Sequence, residues 1–540
     1  MAGLAMVLLL CACLALWPAF VAADSNVKHL DYASYSGYTQ NNGVAFWKGM
    51  RFAAPPTGKL RFAEPQDPER ESGTQDALSH GRLCVATDKY PIPGNQSEDC
   101  LFIDVYAPAN ASNVPVFFWI QGGGFNADSN ANYDGTGLVQ ASGQNIAVVT
   151  FNYRVGPYGF LASKEVQRRG ALNNGLKDII KALEWVNKYI HVFGGDPDHV
   201  TLGGDSAGAG AITMLLSAYG GSDRLNHLFH AAAAESQSFG ALATVSESQF
   251  AYDNLTERVG CSSATDTLAC LRDLDLNTLQ QENYNIPFPG ASIAPLYMYS
   301  PTIDNDLITD YTYNLFAQGK FAKVPVIFGD DTNEGTIFVP KNTSSVDDAD
   351  AFLQANFPTI KTKQLVEINS MYMSQPDNPV YPNAGQYWQG LANAYGEMRY
   401  ICPGIYLSSV FNNDHESAQS NWNYHYAVTD WGAETSGYGT QHTIETNAIW
   451  GPDYVSAPAP ASYSTNNSAI IPVMQGYWTS FIRSFNPNTH RAKGSPEWNT
   501  WGDERNRIYI RTGETKMETV PDAQSKRCKY LQSIAVSLDQ

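Results

Sequence analysis

Positive charge is scarce in this 540-residue chain, where 34 Lys and Arg stand against 53 Asp and Glu and leave a net charge of −19. Such a surface repels nucleic-acid phosphates and anionic lipid, so neither is expected as a partner. Long apolar runs are equally few. Beyond the N-terminal segment none reaches the length needed to span a bilayer, and no apolar tail directs a lipid anchor. Repeats, low-complexity tracts and recognisable linkers are missing too, so residues 24–540 read as one domain. Beyond the leader there is no H-E-x-x-H or C-x-x-C, and no metal or cofactor is expected.

What is present is a globular composition, 43% apolar and 16% charged. The first residues are uncharged and apolar and end in Val21-Ala22-Ala23. This predicts a secretory signal peptide over 1–23, although no basic residue marks its start. A membrane anchor is the alternative, and the small-residue end and the Trp17-Pro18 break weigh against it. The mature protein is expected to be secreted, without stable membrane association. Six cysteines remain after cleavage, an even number that suits three disulfides. Local closure favours Cys84–Cys100 and Cys261–Cys270 and leaves Cys402–Cys528, though six cysteines allow fifteen pairings. Asn95, Asn110, Asn254, Asn342 and Asn466 open N-x-[ST] sequons and are candidate glycosylation sites.

Along the chain, strand-like runs fall at 101–108, 115–120 and 145–154. A helix is predicted over 175–190, where Leu176, Ile179, Ile180, Leu183 and Val186 recur at helical spacing. Then 199–204 reads as a strand, 207–220 as a small-residue helix, and 230–236 and 324–330 as buried strands. A late strand at 421–428, a helix at 469–485 and a final strand at 505–510 close the pattern. The alternation predicts an α/β fold, with a mostly parallel central sheet and helices on both faces. Residues 240–320 and 340–420 are less regular and are expected as helical insertions over the sheet's carboxyl edge.

The chemistry concentrates at VTLGGDSAGAG (200–210). Ser206 lies between a strand and a helix, with Gly204 and Gly208 two positions to either side. That is the setting of a nucleophile elbow, in which a strained turn presents the hydroxyl. A helix N-cap is the purely structural reading of the same serine. Upstream, PVFFWI runs into Gln121-Gly122-Gly123-Gly124-Phe125. Attack on an ester carbonyl creates an oxyanion, and glycines let backbone amides converge on it without interference from a Cβ. Gly123, Gly124 and Ala207 are the candidate donors. A phosphate loop is the competing reading, but no G-x-x-x-x-G-K-[ST] follows.

The stretches EDCLFIDVYAP (98–108), FGGDPDHVTLGGDSAGAG (193–210), GMRFAAPPTGKLRFAEP (49–65) and ALNNGLKDIIKALEWV (171–186) together resemble the type-B carboxylesterase/lipase family. That resemblance spans nearly the whole mature chain and implies an α/β-hydrolase fold and a Ser, acid, His order along the sequence. His442 then matches the family's G-x-x-H-x-x-E through Gly439 and Glu445, and it lies in a glycine-rich loop that can reach the serine. His425 reads as structural, and His415 and His490 as solvated. Glu334-Gly335 matches the family's E-G after a strand and makes Glu334 the expected acid, with Asp304 the runner-up. Asp205 stands where Glu is frequent, and its role is unassigned. Gln121 replaces a frequent His and is not expected to disturb the oxyanion amides.

The implied activity is hydrolysis of small-molecule carboxylic esters. Between Cys84 and Cys100 the chain is short and rich in turns, without room for the long amphipathic lid of the family's interfacial lipases. It also lacks a tryptophan for cation–π capture of choline, for which Tyr90 is a weak substitute. Soluble, short- to medium-chain esters are therefore expected. An interfacial triacylglycerol lipase is the alternative. A non-catalytic adhesion relative is disfavoured, because Ser206, Glu334 and His442 are all present.

Overall fold

The computed structural model describes residues 26–128, 131–375, 378–414 and 416–540. The expected signal peptide at 1–23 and His415 lie outside the described residues.

Eleven strands form one sheet: β1 (Tyr38–Thr39), β2 (Val44–Arg51), β3 (Phe102–Pro108), β4 (Val114–Ile120), β5 (Ala147–Phe151), β6 (Gly195–Asp205), β7 (Ala231–Glu235), β8 (Val326–Asp331), β9 (Asn421–Tyr426), β10 (Asn506–Ile510) and β11 (Lys516–Thr519). Their spatial order is β11-β10-β9-β8-β7-β6-β4-β5-β3-β2-β1. From β5 to β10 every pairing is parallel, and the outer strands on both sides pair antiparallel. Sequence patterning ends the sheet at 505–510. The added edge strand β11, Lys-Met-Glu-Thr, is too polar and too short to show an apolar run.

The parallel strands are apolar on both faces because both are covered. In β4, Val116, Phe118 and Ile120 join one core layer with Leu176, Ile179 and Leu183 of helix α1 (Asn174–Tyr189), while Phe117 and Trp119 enter the other. Helix α2 (Ala207–Leu216) follows β6. It is shorter than the 207–220 pattern predicts, because Tyr219 and Gly220 adopt positive φ and break it. A third core layer packs helices α3 (Trp388–Gly396) and α4 (Cys402–Asn413) with the C-terminal helix α6 (Asp522–Ala535), while α5 (Ile471–Ser484) covers the second face.

Two charged pairs join the stretches that carry the family resemblance. Arg51 makes a two-pronged ion pair with Asp99, at 2.7 and 2.8 Å. Buried Arg61 pairs with Glu98 and donates to the carbonyls of Leu271 and Leu274, so it also anchors the first insertion. Disulfides join Cys84 to Cys100, Cys261 to Cys270, and Cys402 to Cys528, the last linking α4 to α6. Asn95, Asn110, Asn342 and Asn466 are exposed. Asn254 is half-buried within a helix, and its amide donates to Phe250 O.

The chain reverses its lateral progress at β4, since β5 lies on one side of it and β6 on the other. Such a switch point opens a crevice at the carboxyl ends of the strands. The glycine run follows β4 and Ser206 follows β6, so this crevice lies between them.

Candidate active site

Ser206 sits at φ 54° and ψ −121°, a region an L-residue occupies only under constraint. The constraint is visible in its neighbours. A Cβ on Gly208 would lie 2.0 Å from the carbonyl oxygen of Ile120, and one on Gly204 would lie 2.7 Å from the same atom. Only glycines allow α2 to approach the end of β4 this closely. Backbone bonds fix the turn from both sides, Ser206 N–H to Glu235 O and Gly210 N–H to Ser206 O, each 2.9 Å.

The glycine loop lies directly alongside. A Cβ placed on Gly122 would be 3.1 Å from Ser206 Cβ. Gly123 and Gly124 have φ of +114° and +62°, a backbone region that favours glycine. Their carbonyls are engaged. Gly123 O accepts from the amides of Asn126 and Ala127, and Gly124 O accepts from Asn126 Nδ2 at 2.8 Å. Among the described residues, no protein acceptor takes the N–H of Gly123, Gly124 or Ala207. Backbone amides without a protein acceptor can receive developing negative charge. The Gln121 side chain turns away and donates to Asp128, whose other oxygen accepts from Cys84 N–H.

On the far side of the serine, the loops after β7, β8 and β9 bring together an imidazole and a carboxylate. His442 Nδ1 hydrogen-bonds Glu334 Oε2. Glu334 Oε1 accepts from Ser236 Oγ and from Asp331 N–H, both at 2.7 Å. Both carboxylate oxygens of Glu334 are therefore engaged, Oε1 by two donors and Oε2 by the imidazole. The histidine loop is fastened to the acid loop, since Asn333 N–H donates to Thr440 O and Thr440 N–H to Asn333 Oδ1. Gly439 makes this possible, because a Cβ there would lie 2.0 Å from Asn333 Oδ1. Phe338 and Tyr400 pack on the imidazole with ring centroids 4.9 and 4.3 Å away. His442 Nε2 is buried and, among the described residues, hydrogen-bonds to nothing.

The other sequence candidates sit elsewhere. The Asp304 carboxylate accepts from Asn173 Nδ2 and from its own loop amides. His425 bridges Thr332 and Glu518. His490 is exposed, and so is Tyr90. Asp205 is buried, with its carboxylate against Gly122.

Sequence reasoning passed over Glu235 and reads Asp330 and Asp331 as turn residues, whereas both end strand β8 and are buried, as are Glu235 and Glu445. Glu235 accepts from Trp478 Nε1 at 2.7 Å, and Glu445 from Tyr424 OH at 2.8 Å. Burial lifts the carboxyls of Glu235, Asp330 and Asp331 well above the usual range and that of Glu445 to about 7. One signal was legible: Glu235 ends the otherwise all-alanine buried strand AAAAE. A lone acid closing such a strand calls for a dedicated partner. Ser236, the hydroxyl on Glu334, had no comparable signature.

A model of the carboxylesterase family matches residues 33–531. Secreted lipase 4 of Gibberella zeae is 30% identical, over 91% of this chain and 90% of that protein. Para-nitrobenzyl esterase of Bacillus subtilis is 29% identical, over 92% of this chain and 96% of its own. Among solved structures, the crystal structure of Aspergillus niger EstA superposes with a TM-score of 0.92 at 43% identity, covering 95% of this chain and 99% of that one. The architecture of sheet and helices is that of the α/β-hydrolases.

Proposed function

The chain belongs to the carboxylesterase family and is a carboxylic ester hydrolase, and from that premise we propose that it is a secreted serine carboxylesterase acting through Ser206, His442 and Glu334. The observation that carries the reading is the state of the imidazole. Nδ1 is committed to Glu334, which leaves Nε2, with no other partner among the described residues, as the ring nitrogen that can take a serine proton.

In the first half-reaction Ser206 Oγ attacks the ester carbonyl as Nε2 takes its proton. Glu334 stabilises the imidazolium that forms, and Ser236 and the Asp331 amide keep the carboxylate in place. The tetrahedral oxyanion lies against the amides of Gly123, Gly124 and Ala207, each typically worth ~10²–10³ in rate. Collapse expels the alcohol, protonated by Nε2, and leaves an acyl-serine. Water, deprotonated by the same nitrogen, then releases the carboxylic acid.

Residues 24–540 are read as one catalytic domain following a leader; the family match over residues 33–531 supports the first part, and relatives named secreted lipases support the second. Several relatives are named lipases, and interfacial triacylglycerol hydrolysis is the second reading. Against it stands the segment closed by Cys84–Cys100. It holds two two-residue strands, at Leu83–Cys84 and Gln96–Ser97, and no helix that could serve as a lid. Soluble short- to medium-chain esters are the preferred substrates. The test is a chain-length series of esters assayed below and above micelle formation, with Ser206→Ala as control. Smooth saturation by monomeric esters, abolished in the variant, supports the esterase. A rate jump at the interface would transfer the protein to the lipases.

A further inference from the structure

A cavity of about 370 Å³ adjoins the oxyanion loop. Its wall is mostly apolar and aromatic, with Phe160, Phe250, Phe288, Tyr297 and Met298 among the lining groups. It shares that wall with the site described above. Phe160 packs edge-on against Phe125 of the glycine loop, and the ring of Tyr297 occupies the space that a Cβ on Gly124 would need. A volume of this size suits a small molecule or one half of an ester.

One lining residue is out of character. Arg399 is 5% exposed, yet it reaches into this apolar space. It lies in a single π-helical turn, Glu397–Ile401, between α3 and α4, an irregularity that turns consecutive side chains in new directions. Tyr400 meets His442, and Arg399 points toward the cavity. Of the five N–H donors of the guanidinium, Nε–H is used by Ser238 Oγ at 2.9 Å. The groups that act on its charge are phenols and not carboxylates. Its Cζ lies 5.3 Å from the ring of Tyr297 and 5.9 Å from those of Tyr395 and Tyr400.

Among the described residues, the acids on the same turn and on the cavity wall have partners of their own. Glu397, on the same turn, is taken by Tyr372, Arg527 and Gln524. Asp539 and Glu247 also line the cavity. Asp539 accepts from Tyr311 OH at 3.0 Å, and Glu247 caps a helix at Thr244. A buried cation met by phenols and one serine hydroxyl is costly to keep, and that cost is offset when an anion arrives.

We infer that Arg399 is a specificity residue that receives a free carboxylate carried by the ester substrate itself. The inference rests on the esterase reading above. Arg399 is one ring removed from the oxyanion loop, through Tyr297, and one ring removed from His442, through Tyr400. A short chain bearing a carboxylate can span that separation while its ester carbonyl faces Ser206. The planar guanidinium fork offers two parallel N–H bonds to such a group.

The carboxylate can belong to either half of the ester, and two arms distinguish the sources. One compares monomethyl half-esters of succinic, glutaric and adipic acid with their terminal amides. The other compares acetate esters of short ω-hydroxy acids with the corresponding hydroxy amides. Both are run in about 0.15 M salt, which screens the rim acids over about 8 Å but reaches a buried pair far less. The carboxylate is expected to be favoured in kcat/KM over its amide by about ten- to a hundredfold in one arm, as for a hydrogen bond between charged groups. In Arg399→Met that acid-to-amide ratio should collapse by a similar factor, and in Arg399→Lys it should be partly retained. Amides cleaved as well as acids in both arms by the unmodified enzyme would overturn the inference, whether or not the variants fold. Such a result leaves the esterase reading standing, whereas loss of that reading would appear as turnover of all these esters by Ser206→Ala.

Discussion

Ser236 Oγ donates a 2.7 Å hydrogen bond to one carboxylate oxygen of Glu334, while the other oxygen of Glu334 meets His442. The acid is thus held between two strand ends, because Ser236 follows β7 and Glu334 follows β8. The aim of the carboxylate depends on that hydroxyl and on the Asp331 amide, which donates to the same oxygen.

Ser236→Ala is therefore expected to lower kcat for a soluble ester by roughly tenfold, the effect of losing one hydrogen bond to a charged group, with KM nearly unchanged. Steady-state kinetics check it. A purely structural role for Ser236 would instead change expression and thermal midpoint and leave kcat per folded molecule intact.

Gly208→Ala places a Cβ 2.0 Å from Ile120 O, so α2 must retreat from β4 and carry the Ser206 turn with it. A cost of about 1–3 kcal/mol is expected, as for other overpacked cores. The denaturant midpoint should fall, and activity should fall further than stability alone explains. Unchanged activity in the variant would contradict the strained-elbow account.

The pH dependence of stability follows from Glu445. Burial, together with the charge of Glu334, raises its carboxyl to about 7, although the contact with Asp331 acts the other way. The folded state then holds a proton that the unfolded chain has lost above about pH 4.3. The stabilisation is fully present below that value and is lost as pH rises through about 7. Glu235 and Asp331, also raised, act in the same direction. Glu445→Gln removes one titrating group. Its thermal midpoint should decline less steeply than the unmodified protein's between pH 5 and pH 8. Parallel curves for the two proteins would argue against a protonated Glu445.

How much of this was legible in the chain depended on whether a feature is local. The elbow and the glycine loop announce themselves because glycines at fixed spacing answer a steric demand within a few residues. Helix α1 was readable from Leu176, Ile179, Leu183 and Val186, which all face one core layer. Glu334 and His442 needed the family resemblance, since a bond across 108 positions leaves no periodic trace. Ser236, Tyr400 and Arg399 were invisible for the same reason. Their roles come from loops that meet only when β7, β8 and β9 lie side by side and a π turn redirects two side chains. The edge strand β11 escaped because a polar four-residue strand carries no apolar pattern.

The central claim, a covalent acyl-serine at Ser206, is most directly tested by labelling with a p-nitrophenyl alkylphosphonate followed by peptide mass mapping. One phosphonyl group per chain is predicted, on the peptide containing Ser206, with release of p-nitrophenol in step with loss of esterase activity and much slower labelling in His442→Ala. Full inactivation with the label on another residue, or complete activity with Ser206 labelled, would contradict it.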